Sequence, residues 1–434
     1  GVFIENLRHF GFSGEISPVN PSYNEVLGLK VYPSISEVPE AVDLVVIYTP
    51  AKAVPAVVKE CVEGGVKGVV VGSDGFAERG EEGAKLQREI VNIAKPAGLR
   101  LLGPNTVGIA DTSTGLVTNA YALGYGKIRK GSIALGAQTG MLNPQAFPFE
   151  DVQYGISKIC DFGNKCDIDE SDYLSFLKDD PNTKVVSLYL EDVRDGQRFL
   201  NVAKEIVAQK PVLVYKGGRT NASKEAVSSH TGSLAGEYRT YDSAFKQAGI
   251  IPLNTFSELF DIPRIFASQP LPKGNQIGII TITGAGGIVA TDTASGVGLS
   301  LAQLSSDTLE KLMRIYPAFK SNPVDLGPAM VVMDIFSLYK EVINLMLDDE
   351  NVDGLIIVLY GVPALPPEAY VAVFSELNST KPIAIWVYGT KLSHIEETPR
   401  LLGRLGFPVF SQLETAIKAM GAMCTYREWL TRAE

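Results

Sequence analysis

Asp43-Leu44-Val45-Val46-Ile47-Tyr48, followed at once by Thr49-Pro50-Ala51, is the stretch from which the fold can be read. Its unbroken aliphatic run leaves no polar face, so a strand here must be covered on both sides, as in a parallel sheet between helix layers. The neighbouring sequence repeats the pattern: Ala53 to Glu63 has helical spacing, Gly68-Val69-Val70-Val71 is another such strand, Glu82 to Ala97 another helix, and Arg100-Leu101-Leu102 runs into Gly103-Pro104-Asn105. Upstream, Asn6 to Phe10 reads as the end of an amphipathic helix with His9 on its surface, and Glu15 to Pro21 as a strand closed by proline. Alternating strands and helices make a Rossmann-like half. Its strands end in Thr49-Pro50, Ser73-Asp74-Gly75-Phe76 and Gly103-Pro104-Asn105, and ligands of such sheets lie beyond the carboxyl ends of the strands. Ordinary turn chemistry also accounts for these residues. No GxGxxG stands here, and the chain opens Gly1-Val2-Phe3-Ile4 without a methionine, so a first strand and its glycine loop are expected to have preceded it.

A basic linker, Gly126 to Lys130, leads to a second α/β unit. Ser132 to Gly136 is a strand that turns through Ala137-Gln138-Thr139-Gly140, an arrangement that presents free N–H groups to an anion, although Pro144 and Pro148 shorten or delay the helix that should follow. Ile156 to Cys160, the loop Gly163-Asn164-Lys165, a helix begun by Asp169-Glu170-Ser171 and the strand Val185 to Leu190 come next. Glu191 leaves that strand at its carboxyl end, where it can accept a hydrogen bond from a histidine ring or serve as a plain loop residue. Pro211 to Tyr215 is a further buried strand, leading into Lys216-Gly217-Gly218-Arg219-Thr220, and Tyr241 to Gly249 reads as a short helix. Ser268 to Gly274 reads as an interdomain linker. A third α/β unit starts at Ile277 to Thr281, carries the weak glycine turn Gly284 to Gly287, and has His394 as a surface residue without polar partners.

Between the second unit's last two elements lies Ser228-Ser229-His230-Thr231-Gly232-Ser233-Leu234-Ala235-Gly236, which holds one of only three histidines. Its neighbours are too small to cover the ring, and hydroxyls with free N–H groups are natural anion ligands. A glycine-rich turn that happens to contain a histidine is the alternative.

The 434 residues suffice for two or three domains. A hydrophobic content of 45% with 20% charged residues is ordinary for a globular protein, and a net charge of −10 argues against nucleic-acid or anionic-membrane partners. Cys61, Cys160, Cys166 and Cys424 show no zinc or disulfide spacing, which points to a reducing cytoplasm. No bilayer-spanning run or signal peptide is visible.

Taken from end to end, the chain resembles the α part of the ADP-forming acyl-CoA synthetases, relatives of succinyl-CoA synthetase. The matching pieces are Gly103-Pro104-Asn105, Gly163-Asn164-Lys165, Tyr189-Leu190-Glu191, Lys216-Gly217-Gly218-Arg219, Ser228 to Gly236, Gln269-Pro270-Leu271-Pro272 and Ser321-Asn322-Pro323-Val324-Asp325. The resemblance implies an α/β protein of three domains: a Rossmann-like CoA-binding domain at residues 1–125, then two flavodoxin-like parallel-sheet domains at 126–267, which bears a phosphorylated histidine, and 268–434. It makes His230 the phosphorylated residue and Glu191 the carboxylate that orients it. Gln138, Thr139, Gly140, Ser233, Leu234 and Ala235 become phosphate ligands, Asn20, Thr49, Pro50, Ser73, Gly75 and Asn105 CoA ligands, and Gly163, Asn164 and Lys216 part of the active-site loops, with no metal site on this chain. Met141 and the two prolines depart from the family's Ser-Gln-Ser-Gly-Ala turn, and Cys166 from the small residue after Gly-Asn-x.

The activity so implied converts acyl-CoA, ADP and phosphate to acid, CoA and ATP through an acyl phosphate and a phosphohistidine. The nucleotide and Mg2+ would sit on an ATP-grasp β subunit or fused domain, in a dimer or heterotetramer. Two other readings compete: a non-catalytic CoA-binding regulator or scaffold of the same fold, and a nicotinamide-dependent oxidoreductase, which gives His230 no role.

Overall fold

Branched aliphatic runs become the sheets of the computed structural model, which describes residues 1–119, 128–142, 155–223 and 238–433. These residues fall into two compact units, the first ending at Asn254 and the second beginning at Thr255. The first unit opens with α1 (Val2–His9), β1 (Leu44–Ile47), α2 (Val54–Glu63), β2 (Gly68–Val71), α3 (Glu81–Ala94) and β3 (Arg100–Leu102). The three strands pair in parallel in the order β1-β2-β3, with Val45 opposite Val69 and Val69 opposite Leu101. Ile47, Val69, Val71 and Leu101 pack with Val54, Val58, Cys61 and Ile90 from the helices. Each such side chain contributes about 1.5–3 kcal/mol when fully buried.

The strand expected over Glu15–Pro21 is reduced to one bridge between Val19 and Tyr32. Pro18 and Pro21 have no N–H to give a ladder, so the pairing is limited to Asn20 N–H donating to the Tyr32 carbonyl and Tyr32 N–H to the Pro18 carbonyl, both at 2.9 Å.

A larger sheet follows, from β4 (Ile109–Asp111), β5 (Leu116–Val117), β6 (Lys130–Ala137), β7 (Ile156–Asp161), β8 (Val185–Leu190), β9 (Val212–Lys216) and β10 (Ile251–Pro252). The order is β10-β9-β8-β6-β7-β4-β5, parallel from β10 to β7. The hairpin β4-β5 adds an antiparallel edge on β7. Helices α4 (Glu170–Asp179), α5 (Gly196–Val207) and α6 (Tyr238–Ala248) alternate with the later strands. Asp169 caps α4 with a reciprocal box, accepting from the Asp172 N–H while the Asp172 side chain accepts from the Asp169 N–H.

In the second unit β11 (Gln276–Thr281), β12 (Ser300–Leu301), β13 (Val324–Asp325), β14 (Gly354–Gly361), β15 (Ile383–Gly389) and β16 (Val409–Phe410) form a wholly parallel sheet. Its order is β12-β11-β14-β15-β16, with β13 also on β11. Gly284–Gly287 forms the first turn of α7 (Gly284–Gly296), capped by Thr283, whose hydroxyl accepts from the Gly286 N–H.

The proline-rich stretch read as a linker is held to this second unit. Ser268 ends a helix, and the Gln269 amide donates to the Gly406 carbonyl at 2.7 Å and accepts from the Ile383 N–H at 2.9 Å. The division at 254/255 therefore precedes the one expected at 267/268. His394, expected to lack partners, is half-buried, with Nδ1 2.9 Å from the Val362 carbonyl oxygen. No described helix is long and apolar enough to cross a membrane.

Candidate functional site

Register alone collects much of the expected site at one edge. Ala137 stands opposite Asp161 and Tyr189, and Leu190 opposite Lys216, so β6, β7, β8 and β9 end together. The residues that leave these ends are Gln138, the Gly163–Lys165 loop, Glu191-Asp192 and Gly217-Gly218. Because β8 lies between β6 and β9, Glu191 emerges flanked by Gln138 on one side and Lys216 on the other.

Each flank holds it. The Gln138 side-chain oxygen accepts from the N–H groups of Glu191 (2.7 Å) and Asp192 (3.0 Å), while its amide nitrogen donates to the Asp192 carboxylate. Lys216 Nζ donates to the Glu191 carbonyl and to the Gly217 carbonyl, each at 2.6 Å. The Tyr189 hydroxyl donates to Glu191 Oε1 at 3.1 Å. Asp192 is fixed in turn by Lys165, whose Nζ lies 2.8 Å from its Oδ1, 3.0 Å from its carbonyl oxygen and 3.0 Å from Glu170 Oε2. Burial pushes Lys216 down to about 8 and Glu170 above the usual carboxylate range. For Asp192, burial pushes upward, but the Lys165 charge and hydrogen bonds outweigh it and hold the carboxyl low.

These contacts turn the donors of three residues inward. Gln138, expected to bind phosphate, has its side chain turned into the β8 end and its N–H donating to the Tyr189 carbonyl, so it braces Glu191. Lys216, expected in an active-site loop, and Arg219 face inward. Lys216 is 1% exposed, beyond reach of a phosphate in solvent. The Arg219 guanidinium donates to the carbonyls of Lys216, Leu253 and Asn254 and lies 4.4 Å from the Tyr215 ring and 4.8 Å from the Tyr238 ring. Thr139 and Gly140 are half-buried, the Thr139 hydroxyl accepting from the Met141 N–H. His230, Ser233, Leu234 and Ala235 lie outside the described residues.

The expected CoA residues divide similarly. Thr49, Ser73 and Asn105 meet at the ends of β1, β2 and β3: the Ser73 hydroxyl donates to the Thr49 carbonyl at 2.6 Å, and the Asn105 N–H to the Ser73 carbonyl at 3.0 Å. Ser73 is thus buried support, while Pro50 and Asn105 form an exposed rim. The Gly75 and Phe76 N–H groups both donate to Glu78 Oε1, so Gly75 offers shape in place of a donor. Asn20 is exposed, its side chain accepting from the Ser22 N–H.

The loop after β7 joins the two clusters. Asn164 donates to Glu78 Oε2 at 2.6 Å and to Gln87 Oε1 at 3.0 Å, and its own N–H donates to the Pro104 carbonyl. Gly163 sits at φ +53°, where a Cβ would lie 2.3 Å from the Pro104 oxygen, so only glycine fits. Asp161 accepts from the N–H groups of Val107 and Gly163, and burial pushes it up to about 6. Asp161, Asp192 and Glu78 carry no motif, and Lys165, though it closes Gly163-Asn164-Lys165, was given no role from the sequence. Among the described residues no group of three or more His, Cys, Asp or Glu side chains is placed to hold a metal ion.

Two family models match the chain, a CoA binding domain over residues 2–112 and a succinyl-CoA ligase like flavodoxin domain over residues 130–266. The ADP-forming acetate–CoA ligase II of Archaeoglobus fulgidus is 36% identical over 97% of this chain, which spans 63% of that protein. The alpha subunit of ADP-forming acetate–CoA ligase II from Pyrococcus furiosus is 37% identical over 96% of this chain and 91% of its own length. A solved structure of a dinucleotide-forming acetyl-coenzyme A synthetase from Ca. Korarchaeum cryptofilum, in complex with phosphate and ADP, superposes with a TM-score of 0.89 at 31% identity, covering 99% of this chain and 93% of that one.

Proposed function

Since this chain belongs to the family of ADP-forming acetate–CoA ligases and corresponds to their alpha part, we propose that it carries the acyl and phosphoryl chemistry by which an acyl-CoA, phosphate and ADP yield a carboxylic acid, CoA and ATP. In the first step a phosphate oxygen attacks the thioester carbonyl, the C–S bond breaks, and CoA leaves as thiolate and takes a proton. In the second, the neutral ring of His230 attacks the phosphorus of the acyl phosphate, and the carboxylate leaves; in the third, a terminal phosphate oxygen of ADP attacks that phosphorus, the P–N bond breaks, and ATP and the free ring result. Glu191 accepts from the opposite ring nitrogen, which fixes the tautomer and stabilises the positive ring that forms. Phosphoryl transfer depends chiefly on positioning and neutralisation; Thr139, Gly140 and the Ser233–Ala235 segment take the phosphate in this reading, and Gln138 braces from behind. CoA rests against Thr49, Pro50, Gly75 and Asn105, with Asn20 an outlying contact. The chain then works as three domains, the last two dividing at 254/255, with the nucleotide and Mg2+ on an ATP-grasp part, separate or fused.

The observation that carries this reading is Glu191 itself, whose main chain is held at the carboxyl edge of a parallel sheet by side chains from both neighbouring strands while its carboxylate accepts from the Tyr189 hydroxyl. The test is transfer of label from radioactive phosphate in the presence of acetyl-CoA. His230→Ala should abolish an acid-labile phosphoenzyme, and Glu191→Gln should lower it by about 100-fold or more. Phosphate label in the His230→Ala protein would refute the assignment. CoA binding without any label in the wild type would favour the scaffold reading.

A further inference from the structure

We propose that Lys216 is a positioning residue for Glu191, anchoring its main chain from the side opposite Gln138 and supplying the charge that lets a carboxylate stand at this sheet edge; the inference rests on the role given to Glu191 above. Lys216 is among the largest fully buried side chains of the protein, in company with phenylalanines and tyrosines. Burying an ammonium is costly, and an apolar residue of its size usually serves stability as well or better. A lysine here therefore points to a task other than packing.

Its contacts define that task. Two of its three protons go to the carbonyls of Glu191 and Gly217, at 2.6 Å each, joining the end of β8 to the turn after β9. On its remaining side is the Tyr241 ring of α6, 4.6 Å away, a face that attracts a cation. The charged groups around it are Glu191 and Asp192 from β8, Lys165 from the loop after β7, and Arg219 further along its own strand's turn. Gln138 holds the Glu191 N–H and Lys216 holds its carbonyl, so the backbone that aims the carboxylate is fixed at both ends of one residue. Small displacements of a group that orients a nucleophile cost rate without costing substrate affinity.

Because burial depresses this ammonium to about 8, its charge is lost in mild alkali. An arginine stays charged throughout that range. The experiment uses the complete ligase, with its nucleotide-binding part, and acetyl-CoA and phosphate as probes. Lys216→Met should lower kcat for phosphoenzyme formation about 10- to 100-fold, with KM for acetyl-CoA changed by less than about twofold. The wild type should lose activity above about pH 8, and Lys216→Arg should recover most of the rate and remove that fall. A folded Lys216→Met protein with wild-type kcat, a loss confined to KM, or an alkaline limb unchanged in Lys216→Arg overturns the proposal. Should Lys216→Met not fold, the pH profiles of wild type and Lys216→Arg decide alone. Glu191→Gln, run alongside, separates the two claims. Loss of labelling there with none in Lys216→Met sinks only this inference, whereas wild-type labelling in Glu191→Gln removes its premise.

Discussion

Replacing Lys165 by methionine removes the cation between two buried carboxylates. Its Nζ lies 3.0 Å from Glu170 and 2.8 Å from Asp192, and the side chains involved are 1%, 1% and 10% exposed. At an effective dielectric constant of about 20, each contact represents about 6 kcal/mol of Coulomb attraction. Desolvation of the three groups and repulsion between the carboxylates offset most of that, so the expected loss is about 3–5 kcal/mol, the usual cost of stranding one side of a buried pair. The sign with pH follows. Without Lys165, Glu170 keeps the burial that raises it and loses its counter-charge, and Asp192 loses the strongest influence holding it low while keeping Gln138 and Arg194, so both folded-state pKa values move up. The variant's deficit is then smallest at low pH, where the carboxyls are protonated, and grows as pH rises through the folded values. Native-state hydrogen exchange across β7 and β8 reads the local opening energy directly. Lys165→Met should lose more protection at about pH 7.5 than at about pH 5. A loss below about 1 kcal/mol at the higher pH, or a larger one at the lower, refutes the ion-pair account.

Gly163→Ala should destabilise the loop after β7 by about 1–3 kcal/mol, because its Cβ collides with the Pro104 oxygen and φ is +53°. Calorimetry should show weaker CoA binding through the neighbouring Asn105, and an alanine protein of wild-type stability would remove the steric argument. Asp161 is expected to titrate at about 6, raised by burial. Against an unfolded value of about 3.9, this contributes about 3 kcal/mol below both values. That contribution is lost as pH rises through the folded value, and a carboxyl carbon NMR titration with a midpoint below about 5 would contradict it.

Strands rich in branched aliphatics were legible at once: Gly68–Val71 and Val185–Leu190 are buried over nearly their whole length, while Leu44–Ile47, at an edge of its sheet, is half-buried. The hairpin Ile109–Val117 was not, because strands of two and three residues carry no period. Glu191 could be picked out as a carboxylate at a strand end. The orientation of its neighbours could not. Gln138, Lys216 and Arg219 look like ligands for an anion in one dimension, and their donors are instead consumed by carbonyls and carboxylates that only the register brings near. The pairing of Asp192 with Lys165 was not legible for the same reason: it spans segments that no sequence motif connects.

Arg219 has one more consequence. With the carbonyls of Lys216, Leu253 and Asn254 on its guanidinium and the Tyr215 and Tyr238 rings against it, it rivets the end of β9 to the start of α6 and to the chain leaving β10, so that an Arg219→Ala change should loosen three elements of this sheet edge at once.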